Sequence, residues 1–423
     1  MTPLERLKKS DPRENPSEAF IDQVRARYPT EKEVDLVLTR KMQRRMGPPY
    51  QQISLEQLVE GAQKLIENDL GYGVTIADAR WLSGGASKLQ VLFVLHWRGF
   101  NGSGNDSVAT KMVLRTEPAA SITESSRRRE FQVLKAVNGV IPAPAPYWMD
   151  ADGDFLPYPG IIYSFCKGVA KPSTDAGKVT GLGQNYGPEL RRKLAPQFVD
   201  MLAAIHTLDS SRFAELKNFE IPRQGSNEGV IKQVNAMRRV WEEDRLEEEP
   251  FMEVVYQWLI KNAPPIDHVS LVHGDYRNGN FLFDEDRGEI TTWLDWEGAV
   301  LGDRHRDLTY ATMRCFGHFA EDGKTLLSSG MMPAEEMFAA YEKASGLKVD
   351  PDRLIYYTIY NMYLLMILIL GAAARCAYSA KTHQDVLANY LTGVGYPTLA
   401  ELCDYLEQNT SLEQNTSTKR NAQ

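Results

Sequence analysis

Cysteines are few in this sequence, and they lie far apart. Only four occur among 423 residues, with no CxxC pair and no cysteine and histidine cluster at zinc-ligand spacing; they are Cys166, Cys315, Cys376 and Cys403. A disulfide framework or a cysteine-ligated zinc site requires closer and regular spacing. We therefore predict reduced thiols without a structural disulfide or a cysteine-based metal site.

Excess positive charge and an apolar leader are also lacking. Lys and Arg number 48 against 56 Asp and Glu, which gives a net charge of -8 and a pI near 5.6. Nucleic-acid binding needs a local excess of basic residues, so no nucleic-acid partner is predicted. The main basic cluster, Arg127–Arg129, is interpreted as a solvated helix face. The first twenty residues carry charges and no apolar h-region, which predicts a cytoplasmic protein.

One long segment lacks charge altogether. Residues 354–374 form 21 uncharged positions, enough to span a membrane. Thr358, Asn361 and several tyrosines in its first half favour a helix buried in a large lobe instead. Both interpretations stay open from the sequence; the buried helix is preferred, and no membrane partner is predicted.

The pattern of the chain changes in an order that predicts an α+β fold with two lobes. Residues 1–75 have helical periodicity and are predicted to form an N-terminal helical extension. Residues 76–165 contain two β-rich runs, a helix and a third strand, GIIYSF, and are predicted as a small N-lobe. Residues 166–406 open with a long loop and continue as a mainly helical C-lobe. The polar repeat EQNTS within 407–423 predicts a disordered tail.

The most informative run is LVHGDYRNGNFLFDEDRGEITTWLD, residues 271–295. It places Asp275 and Asn280 five positions apart in one loop, and Asp295 beyond a predicted hairpin. Phosphoryl transfer to an alcohol needs a carboxylate beside the attacking hydroxyl and oxygen ligands that hold magnesium against the nucleotide phosphates. Two acids and an amide at this spacing can supply both.

These motifs resemble those of the aminoglycoside phosphotransferase and choline kinase-like family, whose loop reads H-G-D-x-x-x-x-N and whose metal element reads D-x-E. The resemblance extends over about residues 78–400 and includes LGDRHRDLTY, where Arg304 replaces the family's proline. It implies a kinase-like fold, ATP and Mg²⁺ as cofactors, and a small-molecule hydroxyl as acceptor. Asp307 of this segment is interpreted as a structural, loop-tethering acid.

By the same resemblance, Asp275 accepts or orients the acceptor proton, while Asn280 and Asp295 ligate magnesium. Glu297 is a weaker candidate for a second metal or a water-mediated ligand. Arg277 either contacts the transferring phosphate or braces the loop. His273 and His206 are interpreted as structural.

ATP is predicted to bind in the N-lobe. The turn containing Ser83, Gly84, Gly85 and Ser87 precedes the first long strand and can present backbone N–H groups to phosphate. Lys111 of VATK and Arg115 of VLR are alternative strand cations on one strand face. The family pattern favours Arg115, paired with Glu130. Residues Ser164 to Cys166 occupy the expected hinge, whose backbone groups are predicted to bind the edge of adenine.

The acceptor is the least determined part. The family's acceptors range from aminoglycosides and choline to other small hydroxyl compounds and, in some branches, hydroxyacyl thioesters. Acidic runs at 242–244 and 247–249 either line a cationic acceptor's site or form a solvated helix face, and the latter is preferred. The tyrosine-rich 354–378 segment suggests a partly hydrophobic acceptor. Alternatives to an active small-molecule kinase are an inactive nucleotide-binding scaffold and, since no A-P-E element follows DWE, less plausibly a protein kinase.

Overall fold

The computed structural model of the chain describes residues 11–45, 47, 52–82, 88–99, 108–118, 121–175, 182–379 and 385–420. The predicted phosphate-covering residues Ser83, Gly84, Gly85 and Ser87 lie outside these ranges.

The N-lobe is built on one antiparallel sheet. Its strands are β1 (Thr75–Trp81), β2 (Leu89–Trp97), β3 (Val108–Thr116), β4 (Pro146–Asp150) and β5 (Gly160–Ser164). The spatial order is β1-β2-β3-β5-β4, with β3 at the centre. Residue Arg115 of β3 lies opposite Gln90 of β2 and Ile161 of β5. The long cationic side chain of Arg115 therefore projects from the middle of the sheet.

A helix covers each face of this sheet. Helix α3 (Leu55–Leu70) begins at a Ser54–Gln57 capping box and packs on the face that carries Phe93 and Leu114. Helix α4 (Arg127–Val137) packs on the opposite face, which carries Val113 and Arg115. Because successive strand residues alternate between faces, Arg115 points to the side of α4 and the cleft.

Two earlier helices, α1 (Glu18–Arg27) and α2 (Lys32–Arg44), pack against the C-lobe. Lys41 of α2 lies 2.9 Å from Asp244 and 2.8 Å from Glu243, both of which are buried. The preferred interpretation of the acidic run 242–244 as a solvated face is therefore wrong for these two residues. They fasten α2 to the C-lobe, because a buried carboxylate requires a cation nearby.

The C-lobe is mainly helical, as predicted. Its helices are α5 (Gly187–His206), α6 (Glu228–Asp244), α7 (Pro250–Lys261), α8 (His305–Ala311), α9 (Ala334–Ser345), α10 (Pro351–Met366), α11 (Ala374–Tyr378) and α12 (Asp385–Arg420). A π-helical stretch at Ile367–Ala373 joins α10 to α11. Short 3₁₀ turns occur at Ser173–Asp175, Ser210–Glu215, Trp296–Gly298 and Arg314–Phe316.

Three two-stranded ladders interrupt the helices. They are β6 (Ser270–Val272) with β9 (Val300–Gly302), β7 (Phe281–Asp284) with β8 (Glu289–Trp293), and β10 (His318–Phe319) with β11 (Leu326–Leu327). The β7–β8 hairpin is the one expected around the EDRG turn. It brings Asp295, after β8, back beside Asn280, before β7: the N–H of Leu294 donates to the Asn280 carbonyl at 2.8 Å.

The uncharged segment forms α10 and the π-helical stretch in the centre of the C-lobe. By length and composition, Pro351–Tyr378 could cross a membrane, with a mean hydropathy of 1.7, but 67% of its most apolar window is buried inside the fold. Tyr357, Tyr360 and Tyr363 are all at most 1% exposed. This is the environment of a lobe's core helix.

The C-terminal segment differs from its prediction. Helix α12 extends through residue 420, although the polar repeat within 407–423 predicts disorder. An established helix adds one hydrogen bond for each residue it extends, so a polar segment without proline can continue it.

Candidate active site

The loop that carries Asp275 is braced from beneath by Asp307. The Asp307 carboxylate accepts hydrogen bonds from the backbone N–H groups of His273 at 2.6 Å and Gly274 at 2.8 Å. His206 lies 3.1 Å from the same carboxylate. Burial alone would raise the pKa of Asp307, but these hydrogen bonds hold it below its usual value. Asp307 is fully buried and tethers the loop rather than contacting a substrate.

Asp275 is held by its own loop. Its carboxylate accepts hydrogen bonds from Nε of Arg277 at 2.8 Å and from the side-chain amide of Asn280. The Arg277 guanidinium also stacks over the Phe316 ring, 4.7 Å from its centroid. Two donors on one carboxylate fix its orientation, as a base that must meet a hydroxyl requires.

A close backbone contact joins the Asp275 loop to the segment after Asp295. Gly274 has a φ of 84°, and a Cβ atom there would overlap the carbonyl oxygen of Gly298. Only glycine permits this approach. Asp295 itself has a φ of 59°, uncommon outside glycine. Such a conformation persists where surrounding contacts impose it, here at the start of the 3₁₀ turn Trp296–Gly298.

Arg115 and Glu130 are brought together, and Asp295 and Glu297 join them. Nη1 of Arg115 lies 2.6 Å from Glu130, while Nη2 lies 2.8 Å from Asp295 and 3.5 Å from Glu297. Lys111, the alternative strand cation, is exposed and lies 6.0 Å from the centroid of the Phe165 ring. Of the two, Arg115 is the one positioned at the centre of the site.

Two further cations complete this network, and both were missed from the sequence. Lys88 is fully buried and lies 3.2 Å from Glu297, with hydrogen bonds to the hydroxyl of Ser121 and the carbonyl of Thr123. Arg127 lies 3.2 Å from Glu297 and also pairs with Glu130. We call Lys88, Arg115, Arg127, Glu117, Glu130, Asp295 and Glu297 the ion-pair network.

The interpretation of the arginine cluster as a solvated face is wrong. Arg127 and Arg129 are buried, and Arg128 alone lies at the surface, near Asp152. The spacing of three between Arg127 and Glu130 was a usable signal, because residues three apart share a helix face.

Glu297 lies inside the network and borders the cavity, with its side chain 13% exposed. Burial would raise its pKa, but Lys88, Arg115 and Arg127 hold it far below the usual range. Asp295 behaves oppositely. Partial removal from water raises its pKa despite Arg115, and the negative charges of Glu297 and Asp275 add to the rise. Asp295 is thus the carboxylate with most to gain from an added cation.

Asn280 and Asp295 suit a magnesium ion bound together with phosphates. Among the described residues, no three His, Cys, Asp or Glu side chains converge as a complete metal site. Mg²⁺ is commonly held by only one or two protein carboxylates plus substrate phosphates. The Asn280 amide nitrogen donates to Asp275, which leaves its oxygen as an acceptor. The Asp295 side chain is 37% exposed.

The predicted hinge follows β5. The Ser164 N–H donates to the Ala145 carbonyl at 2.9 Å, and the Phe165 N–H donates to the Lys111 carbonyl at 3.1 Å. The Cys166 N–H has no hydrogen-bond partner among the described residues. The hinge therefore offers one backbone N–H donor to the edge of a nucleobase.

A cavity of about 200 Å³ lies beside Asp275, and Asp295 and Glu297 also line it. Helix α2 forms one wall with Val34, Val37 and Leu38, and the C-lobe forms the opposite wall with Tyr360, Leu364 and Leu368. Polar side chains also line it, including Arg129, Gln233, Arg306, Asp275 and Asp295. The N-terminal extension is thus part of the site, which the sequence did not predict.

A lobe built on an antiparallel sheet, a helical lobe and these acids between them define the class of kinase-like phosphotransferases. A family profile described as the phosphotransferase enzyme family matches residues 82–353, well over half of the chain. The chain belongs to that family, and the predicted resemblance is confirmed.

A solved structure shares the fold, and two curated relatives align with part of the chain. A candidate aminoglycoside phosphotransferase from Ralstonia eutropha aligns over 84% of this chain and 99% of its own, with a TM-score of 0.58 and 19% identity, and supports the fold. Acyl-CoA dehydrogenase family member 10 of Mus musculus is 24% identical over 63% of this chain, and family member 11 of Pongo abelii is 23% identical over 64%. The chain spans only 24% and 35% of the length of those two relatives.

Proposed function

We propose that the protein transfers the γ-phosphoryl group of Mg-ATP to a hydroxyl of a small molecule, with Asp275 as the base. The observation that carries the proposal is the placement of Asp275 between two different environments. The ion-pair network reaches this point through Asp295 and Glu297, and both of these residues line the cavity under α2 together with Asp275. A donor nucleotide held by the ion-pair network and an acceptor held in the cavity would therefore meet near Asp275.

In the proposed reaction, the acceptor oxygen forms a bond to the γ-phosphorus while the bond to the β,γ-bridging oxygen breaks, and ADP leaves. Asp275 takes the hydroxyl proton. Arg277 and Asn280 hold the Asp275 carboxylate in place for that transfer. Magnesium, when bound at Asn280 and Asp295, would neutralise charge on the phosphates.

The ion-pair network is proposed to hold the donor. Arg115, pre-positioned by Glu130, would contact the nucleotide phosphates, and the Cys166 N–H would bind adenine. Lys88 and Arg127 would keep Glu297 ionised beside Arg115. Glu297 is then a positioning residue for Arg115 rather than a metal ligand. Fixed charges in a site shielded from water stabilise a transition state without reorganisation.

Mass spectrometry can test this function directly. The protein is incubated with Mg-ATP and a metabolite extract, and the expected result is a new phosphate monoester formed in step with ADP. Asp275→Asn should abolish the product while ATP still raises thermal stability. ATP binding by the wild type, without any phosphorylated product across a broad set of hydroxyl compounds, would contradict the proposal.

A further inference from the structure

The cavity under α2 contains one buried cation whose charge is not balanced. Arg306 is 5% exposed and lines this cavity together with Gly274 and Asp275. Its Nη1 makes a long hydrogen bond of 3.4 Å to Gln233, and its Nε is buried without any hydrogen-bond partner. Among the described residues, no carboxylate forms an ion pair with it. A buried guanidinium with five donors is costly unless an anion satisfies it.

The other charged groups around the cavity have partners. Arg129 lies 3.2 Å from Glu31, and Lys232 lies 2.9 Å from Glu220. Glu124 lies 3.0 Å from Arg44. Glu33 accepts hydrogen bonds from Ser126 at 2.6 Å and Asn218 at 2.9 Å. The contrast leaves Arg306 as the group most in need of a ligand.

The surroundings of Arg306 favour an anionic ligand with an aliphatic body. Its guanidinium lies 5.2 Å from the centroid of the Tyr360 ring, so one face is already covered. Val34, Val37, Leu364 and Leu368 line the space between the two helical walls. Asp275 borders the same cavity, so a molecule bound at Arg306 has its other groups near the catalytic base.

We infer that the acceptor is a small aliphatic alcohol that carries an oxyanion, a carboxylate or a phosphate, and that Arg306 binds this oxyanion while the hydroxyl faces Asp275. The inference rests on the proposed function and adds the substrate class to it. A guanidinium pairs with either oxyanion through two parallel hydrogen bonds. A polycationic acceptor would instead meet an uncompensated positive charge in the cavity.

Calorimetric titration tests the inference without requiring turnover. The full-length protein, loaded with magnesium and AMP-PNP, is titrated with beta-hydroxybutyrate and omega-hydroxyhexanoate, with their amides, with glycerol phosphate, and with aminohexanol. At least one oxyanion should bind about tenfold or more tighter than its uncharged or cationic counterpart, and the carboxylate and phosphate arms distinguish the two sources. Equal binding of acids, amides and the amine would overturn the inference.

Variants locate the effect. Arg306→Gln should remove the preference for the oxyanion, and Arg306→Lys should restore part of it, while AMP-PNP affinity stays the same. Arg304→Gln is the matched control, because Arg304 is also buried and nearby but pairs with Asp267 outside the cavity. Unchanged oxyanion binding by a folded Arg306→Gln variant would refute the role of Arg306.

Thermal unfolding separates binding from a structural role. Removing an unbalanced buried charge should leave the melting temperature of Arg306→Gln unchanged or higher. Arg304→Gln should melt lower, because Asp267 loses its nearer cation and keeps only Arg353 at 3.9 Å. A large drop for Arg306→Gln would assign it to the fold instead. Phosphorylation of neutral or cationic alcohols independent of Arg306 would defeat this inference alone, whereas Arg306-dependent binding without transfer would defeat the proposed function alone.

Discussion

Arg115 and Arg306 are both buried arginines beside the proposed catalytic site, yet their surroundings are opposite. Arg115 contacts three carboxylates, from Glu130, Asp295 and Glu297. Arg306 contacts no carboxylate among the described residues; its side chain has one long hydrogen bond, to Gln233, and lies over the Tyr360 ring. The first arrangement fixes charges in advance of the reaction. The second is suited to a charge that arrives with a ligand.

The largest expected effect is on stability and tests this contrast directly. Arg115→Met should lower the free energy of unfolding by about 3–5 kcal/mol, because it removes the buried cation that contacts Glu130, Asp295 and Glu297 and leaves only Arg127 and Lys88 to balance these carboxylates. Arg306→Met should change it little. Denaturant titrations of both variants measure the difference, and equal losses would show that the two arginines do not differ as described.

Next in size is the removal of a proposed metal ligand. Asp295→Asn should slow phosphoryl transfer by about 100- to 1,000-fold, because magnesium loses the anionic ligand that would hold it at the phosphates. It should also reduce the thermal stabilisation that magnesium adds to that of ATP alone. Asp286→Asn, on the exposed turn of the same hairpin, is the control. A rate for Asp295→Asn within tenfold of the wild type would exclude the assigned role.

A smaller effect is expected where the Asp275 loop contacts the backbone of Gly298. Gly274→Ala would push the Asp275 loop away from Gly298 and should cost about 100-fold in transfer rate, since small displacements of reacting groups are costly. Gly346→Ala has a similar positive φ but meets nothing within 4 Å, so it tests the backbone cost alone. Similar losses of transfer rate in both variants would show that the close contact between Gly274 and Gly298 does not matter for the reaction.

The smallest effect concerns His206, which lies beside Asp307, the residue that tethers the Asp275 loop. Burial holds the pKa of His206 below its ordinary 6.5 despite Asp307. As the pH falls, His206 therefore takes up a proton in the unfolded chain before it does so in the folded chain. Stability should therefore fall as the pH drops below about 6.5, by at most about 1.4 kcal/mol per pH unit for this group. His206→Gln should flatten that dependence in urea titrations between neutral pH and about 5. An identical slope in the variant would show that His206 is not the titrating group.

The sequence predicts the parts of this molecule that depend on local order. The alternating strands, the β7–β8 hairpin and the spacing of Asp275, Asn280 and Asp295 are all readable within short segments. The choice of Arg115 over Lys111 required a resemblance, because both lie on one strand face.

Features that depend on distant segments could not be read in this way. Arg127 meets Glu297 across 170 positions of sequence, and Lys41 meets Asp244 across 203. Single-sequence patterns give buried ion pairs the same appearance as solvated charges, so Arg127, Glu243 and Asp244 were assigned to the surface. The wall formed by α2 was missed for the same reason, since its partner lies in α10 and beyond.

Phosphorus-31 NMR of the complete reaction is the most direct test of the central claim. The wild-type protein, Mg-ATP and an oxyanion-bearing alcohol that binds at the cavity should yield a phosphate monoester and ADP in equal amounts, with no product from Asp275→Asn. ADP accompanied only by inorganic phosphate, or monoester formed equally well by Asp275→Asn, would contradict the account.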